Sequence, residues 1–114
     1  TGVFFFLRFS YTIQRGVSMY EDIDILDIDS LHLEQNLIDI RDKYEYMLGN
    51  IHQSINIPYN YLMMNPENYL EKDKIYYIYC DSGSKSRKVC THLNQLGYHT
   101  VDLIGGYMRY KLGG

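Results

Sequence analysis

Residues 75–87 read IYYIYCDSGSKSR. The first five are β-branched or aromatic, a composition that suits a central strand covered on both faces. Cys80 closes that run. Turn-forming, hydroxyl and charged residues follow, and Gly83 lets such a loop curl through backbone conformations that other residues resist. A helical pattern then begins. From Ser86 to Leu96 the apolar positions are Val89, Cys90, Leu93 and Leu96, a single buried stripe at i, i+1, i+4, i+7. Gly97 supplies the stop. Strand, tight loop and helix in this order are the unit of a parallel α/β sheet.

The alternation continues to either side. LIDI at 37–40 is a short buried-strand run with Asp39 inside it and Arg41 just after. KYEYML at 43–48 is a short helix, with Gly49 and Asn50 expected to stop it in the left-handed conformation. QSINI at 53–57 reads as a strand closed by Pro58. Residues 59–70 read as two helical pieces broken at Asn65-Pro66, because the residue before proline avoids helix. TVDLI at 100–104 is the last strand, and Gly105-Gly106 turns the chain into a helix over Tyr107–Leu112. Upstream, EDIDILDID at 21–29 alternates acid and aliphatic, the pattern of a strand with one wet face, at least through Ile25. Asp29 or Ser30 then caps a short helix over Leu31–Gln35. The expected fold is α/β with a mostly parallel central sheet flanked by helices. In such sheets ligands gather at the carboxyl ends of the strands, where Cys80 lies.

The totals narrow the function. The chain has 114 residues and 13.5 kDa, enough for one domain with a real core. Residues 19–114 read as that domain, and residues 1–18 as a non-native or extra N-terminal segment. Apolar content of 46% with 22% charged residues argues against disorder. A net charge of −3 offers no basic face for nucleic acid or an anionic membrane. The longest apolar candidate, VFFFLRF at 3–9, is too short to span a membrane and is interrupted by Arg8. Two cysteines are not a disulfide scaffold and fit a reducing, cytoplasmic setting.

Metal readings are weak. Of Cys80, Cys90, His92 and His99, only Cys90 and His92 approach zinc-ligand spacing. Asp22, Asp24, Asp27 and Asp29 lack the Gly and Glu that a calcium loop needs in register, so they read as a solvated face. No metal or cofactor is expected.

Cys80 is the candidate nucleophile. A curled loop entering a helix presents backbone N–H groups, which favour an anion such as a thiolate. Lys85, Arg87 and Lys88 add positive charge, while Asp81 opposes it. Ser82, Ser84 and Ser86 offer hydroxyls to a bound anion or to the loop itself. Cys90, on the buried stripe of the helix, reads instead as a packing residue.

Four stretches in order then carry a resemblance. LIDIRD at 37–42 is similar to the strand and Asp-x-Arg signature of the single-domain rhodaneses, which are thiosulfate-type sulfurtransferases. GNIHQSINIP at 49–58 is similar to that family's Gly-His-Ile-Pro-Gly-Ala-x-Asn-Ile-Pro. CDSGSKS at 80–86 fits its active loop, Cys-x-x-Gly-x-[Arg/Lys]-[Ser/Ala]. GYHTVDLIGGYMRY at 97–110 follows its closing strand, Gly-Gly turn and last helix. The resemblance covers residues 22–112 and implies the rhodanese-like three-layer fold.

It also implies a two-step transfer through a Cys80 persulfide. The donor is thiosulfate or another sulfane compound, and the acceptor is cyanide, a thiol or a protein. The N–H groups of residues 81–86 would cradle the persulfide, so Asp81, Ser82, Gly83, Ser84, Lys85 and Ser86 are the expected substrate-binding residues. Lys85 takes the family's cationic loop position, and Asp39 and Arg41 form a supporting ion pair. The chain departs from the pattern at Asn50, where histidine is usual, at His52 and Gln53, which replace Pro and Gly, and at Tyr110, often Trp. His52 is therefore read as an ordinary surface or boundary residue. Two rivals follow. A sulfur-relay or binding module acting on a protein partner uses the same loop. A cysteine phosphatase needs Cys-x5-Arg, but Ser86 holds that position and Arg87 stands one residue late.

Overall fold

A computed structural model describes residues 21–31 and 36–113 of the chain. Its strands are β1 (Ile23–Asp24), β2 (Leu37–Asp39), β3 (Ile55–Asn56), β4 (Ile75–Tyr79) and β5 (His99–Ile104). They form a five-stranded sheet in the order β1-β5-β4-β2-β3, with every pairing parallel. The helices are α1 (Lys43–Leu48), α2 (Tyr59–Met64), α3 (Ser84–Gln95) and α4 (Gly106–Gly113). Short 3-10 segments cover Ile25–Leu31 and Pro66–Asn68. This is the α/β architecture that the alternation of strand and helix patterns implied.

The reading of β4 as covered on both faces holds from Tyr76 onward. Tyr76, Ile78 and Cys80 join Ile38, Leu62, Val89 and Leu93 in a core beneath α2 and α3. Tyr79 points the other way, into a core with Ile25, Leu37, Ile51 and Leu103, against which Tyr77, Tyr107 and Tyr110 pack. The period of two along β4 thus feeds two cores and makes three layers. Each fully buried Ile or Leu contributes roughly 1.5–3 kcal/mol, so the sheet and the helix stripe of α3 secure each other.

Strand order also sets where a ligand can bind. The connection after β2 sends Ile51 into the second core, whereas α3, after β4, packs on the first. The chain therefore leaves the neighbouring strands β2 and β4 toward opposite faces. A crevice opens between their carboxyl ends, and Arg41 and Cys80 stand there.

Several local expectations need correction. The strand expected over 21–29 is only Ile23–Asp24, and Ile25–Leu31 coils into a 3-10 segment. The cause is local: Asp24 Oδ1 accepts the Leu26 N–H at 3.0 Å, which turns the chain out of the sheet. Asp29 and Ser30 fall inside this segment, and most of the helix they were expected to cap, over 31–35, lies outside the described residues, as does the 1–18 segment. Gly49 ends α1 in extended backbone at φ 170, not left-handed, and the Asn50 side chain caps the Tyr46 carbonyl at 2.9 Å. β3 is shorter than QSINI. Within that stretch Gln53 takes φ 71, the position where the resemblance would put glycine. The stop at Gly97 and the break at Asn65 are as expected, with Gly97 left-handed at φ 98.

Among the described residues no helix is long and apolar enough to cross a membrane.

Candidate active site

Cys80 sits at the end of β4, 4% exposed, with its sulfur turned back into the loop that follows. The Gly83 N–H points at Sγ from 3.0 Å and the Ser86 N–H from 3.4 Å. This double approach depends on Gly83, whose φ of 107 is costly for any residue with a Cβ. Gly83 is also the N-cap of α3, so the helix opens at Ser84, two residues before the start expected from the apolar stripe. The hydroxyl and charge-bearing residues 84 and 85 are therefore the helix's first turn, not loop. Ser86 lies fully buried beneath the sulfur.

α4 holds the loop from the other side. Its Tyr107 N–H donates to the Cys80 carbonyl at 2.8 Å and its Met108 N–H to the Asp81 carbonyl at 3.0 Å. The approach is close: a Cβ on Gly106 would stand 2.4 Å from the Asp81 carbonyl oxygen. The Gly-Gly turn thus lets a helix end meet the backbone of the cysteine loop.

Cys80 lines a cleft of about 400 Å³, a size suited to a small molecule or a slender thiol-bearing arm. Asp81, Ser82, Ser84 and Lys85 line it from the loop side, and Ile40, Arg41, Asp42, Glu45, Pro58, Tyr59 and Asn60 from the β2, α1 and α2 side. Lys85 Nζ lies 5.4 Å from the centre of the Tyr59 ring. Arg41, only 8% exposed, is held in place on several sides. Its Nη2 meets Asp39 Oδ2 at 2.8 Å and the Gly49 carbonyl at 2.6 Å, and its guanidinium lies 4.1 Å from the centre of the Tyr107 ring. Asp39 is fully buried and also accepts the Arg41 N–H at 2.8 Å. This pair braces the cleft wall, and Asp39 itself does not line the cleft.

Electrostatics at the mouth are mixed. Glu45's carboxyl is raised from its ordinary value, by burial first and then by the charges of Asp42 and Asp81. The Arg41 charge opposes this rise at Glu45, and Lys85 adds a second cation to the cleft lining.

Cys90, also 4% exposed, lies in the first core, where burial pushes its thiol far up. His52 is exposed. Asp22 and Asp24 bond to the Asp102 N–H and to Arg109, respectively. Among the described residues no cluster of His, Cys, Asp or Glu is arranged to hold a metal ion.

Sequence reasoning missed Asp42 and Glu45 at the mouth and Asp102 behind the sulfur. Asp102 had a readable signal, a lone carboxylate inside the apolar run TVDLI. Asp42 and Glu45 had none, because a capping aspartate and a helix glutamate are ordinary surface features.

Comparison with known proteins agrees with this geometry. Residues 21–112 match the model of the rhodanese-like domain. The putative sulfurtransferase YtwF of Bacillus subtilis is 37% identical over 78 residues, which cover 68% of this chain and 75% of that protein. The adenylyltransferase and sulfurtransferase uba4 of Ogataea parapolymorpha is 35% identical over 66% of this chain, which corresponds to only 20% of that protein. Among solved structures, a rhodanese-related protein from Thermoplasma volcanium superposes with a TM-score of 0.75 at 33% identity, covering 83% of this chain and 94% of its own.

Proposed function

Since the chain belongs to the rhodanese-like domain family, we propose that it is a sulfurtransferase that carries a sulfane sulfur on Cys80. The observation that carries this reading is Cys80 in the lining of a cleft, with two backbone N–H groups trained on its sulfur. These donors suit an anionic sulfur at each stage of transfer.

In the first half-reaction the Cys80 thiolate attacks the outer sulfur of a sulfane donor. The donor's S–S bond breaks, and its leaving group, sulfite when the donor is thiosulfate, departs with the electron pair. In the second, an acceptor nucleophile such as cyanide or a thiolate attacks the outer sulfur of the persulfide, and Cys80 leaves as thiolate. Lys85 at the cleft mouth meets the donor's negative charge. Asp39 and Arg41 brace the wall, and Ser82 and Ser84 offer hydroxyls at the rim. No metal or cofactor is needed for either step.

A second reading has support of its own. The relatives named above include a two-activity adenylyltransferase and sulfurtransferase, and a tRNA sulfurtransferase of Desulfurococcus amylolyticus is 30% identical over 92% of this chain, which corresponds to only 20% of that protein. A relay that hands sulfur to a macromolecular acceptor would use the same Cys80 persulfide. The phosphatase alternative draws no support from the cleft, whose lining does not include Arg87.

The test is intact-protein mass spectrometry after incubation with thiosulfate and, separately, with a glutathione persulfide. A single-sulfur adduct on Cys80, released by cyanide and absent from Cys80→Ser, is expected. No adduct with either donor overturns the reading.

A further inference from the structure

β5 carries a group that this scheme leaves idle. Asp102 is 3% exposed, and a carboxylate so placed is costly unless it is well partnered. Its Oδ1 accepts the Ser86 hydroxyl at 2.6 Å. Ser86 Oγ in turn lies 3.4 Å from Cys80 Sγ, placed to accept the thiol proton. Thiol, hydroxyl and carboxylate therefore form one continuous buried line, with Cys80 and Ser86 themselves 4% and 0% exposed.

The line constrains the sulfur's charge. A serine has a single hydroxyl proton, and Asp102 Oδ1 at 2.6 Å is a nearer acceptor for it than the Gly83 carbonyl at 3.2 Å. While that proton is given to Asp102, the oxygen turns a lone pair toward sulfur, which suits a thiol and repels a thiolate. A thiolate next to an ionised Asp102 would also place two anions in one poorly solvated region. The charged and titratable groups around Asp102 do little to offset this. Asp22, just before β1, accepts the Asp102 backbone N–H at 2.9 Å and adds a further negative charge. From α3, Arg87 opposes that charge from an exposed position, and the Cys90 thiol is kept neutral by burial. In sum, burial raises the Asp102 carboxyl, the Ser86 hydrogen bond holds it down, Asp22 raises it and Arg87 lowers it.

We propose that Asp102 is the proton store for Cys80, acting through Ser86. The S–H bond of Cys80 breaks as its proton passes to Ser86 Oγ. The Oγ–H bond of Ser86 breaks as its own proton passes to Asp102 Oδ1. One negative charge moves from carboxylate to sulfur, and the net charge of the buried site is unchanged. Ser86 now donates to the thiolate, adding a third donor to the Gly83 and Ser86 N–H groups. The persulfide is also anionic, so Asp102 stays protonated while sulfur is loaded and returns the proton once the thiol is restored. Asp102 is thus a positioning residue. The proposal rests on Cys80 being the sulfur carrier, and its test is separable from that reading.

Two measurements decide it. The first is infrared difference spectroscopy of the wild type, persulfide-loaded minus reduced. A protonated-carboxyl band is expected on loading and should be missing in Asp102→Asn. Loaded wild type without the band overturns the proposal and leaves sulfur transfer standing. The second needs no sulfur donor. The rate of Cys80 alkylation by iodoacetamide, in a Cys90→Ala background, is followed against pH. Coupled sites shed protons in two steps, so a two-step profile is expected, collapsing to one step in Asp102→Asn. Identical one-step profiles overturn the proposal. Should Asp102→Asn fail to fold by thermal melting, Ser86→Ala breaks the same line and is expected to give the one-step profile.

Discussion

Cys80 and Cys90 belong to the same buried cluster, and each is 4% exposed. What faces the two sulfurs differs. Cys80 ends a strand, receives two backbone N–H groups and lines a cleft. Cys90 lies mid-helix among apolar side chains, and burial holds it as a thiol. Exposure therefore does not separate the cysteine we propose as the sulfur carrier from the one we read as packing. The polarity and aim of the groups around the sulfur do.

The strongest way to break this contrast is to exchange the losses. Cys80→Ser is expected to lower sulfur loading by on the order of a thousandfold or more, as removal of a nucleophile does. Cys90→Ala is expected to load normally. Intact mass after exposure to a sulfane donor reads both, and a Cys90 adduct in the Cys80→Ser protein would end the distinction.

A subtler break leaves both sulfurs in place and moves the loop. Gly106→Ala puts a Cβ 2.4 Å from the Asp81 carbonyl oxygen, at a φ of +71. Backbone must shift on one side or the other, at a cost of about 3 kcal/mol. Urea unfolding is expected to show that loss, and loading of the folded fraction is expected to fall with it. Full loading in a destabilised Gly106→Ala protein would mean that the loop's aim matters little. Cys90→Ala supplies the matching control: it removes one buried sulfur atom, costs about 1 kcal/mol and leaves the loading rate alone.

How much of this was legible without coordinates follows the same division. The β4–loop–α3 unit could be read because its signals are local: a β-branched run, a glycine and a helical stripe. The mostly parallel α/β sheet followed from the alternation, and its three layers from the family resemblance. Elements whose conformation depends on a side chain's choice of partner were misread. Asp24 could have pointed to solvent as in an ordinary strand, but it caps Leu26 and pairs with Arg109 instead, and the strand ends. The Ser86–Asp102 contact joins residues sixteen apart in sequence, and no pattern in either segment announces it. Gln53 is a related case. The resemblance flagged it as a substitution for glycine, but only the backbone shows that it holds φ 71. Gln53→Gly is expected to stabilise the fold by about 0.5 kcal/mol, relief of left-handed strain less the added chain entropy. A denaturant midpoint that falls instead would show that the Gln side chain compensates for its backbone.

The smallest expected effect concerns the far anchor of α4, the helix whose first N–H groups hold the Cys80 and Asp81 carbonyls. Arg109 joins α4 to β1 through Asp24 at 2.7 Å. The arginine's hydrogen bond, helped by the Leu26 N–H, draws the Asp24 carboxyl from 3.8 down to about 2. A carboxyl lowered on folding stabilises the folded state above its unfolded pKa, and that contribution disappears as pH falls through the folded one. Arg109→Met is therefore expected to be slightly less stable than wild type at neutral pH, with the difference closing between about pH 4 and pH 2. Both side chains are well exposed, so salt should shrink the difference as well. Chemical denaturation at several pH values and two salt concentrations checks this. A difference that ignores both variables would assign Arg109's contribution to its aliphatic stem packed over Gly105 rather than to its charge. In that case the cysteine loop would be supported from this side by packing alone.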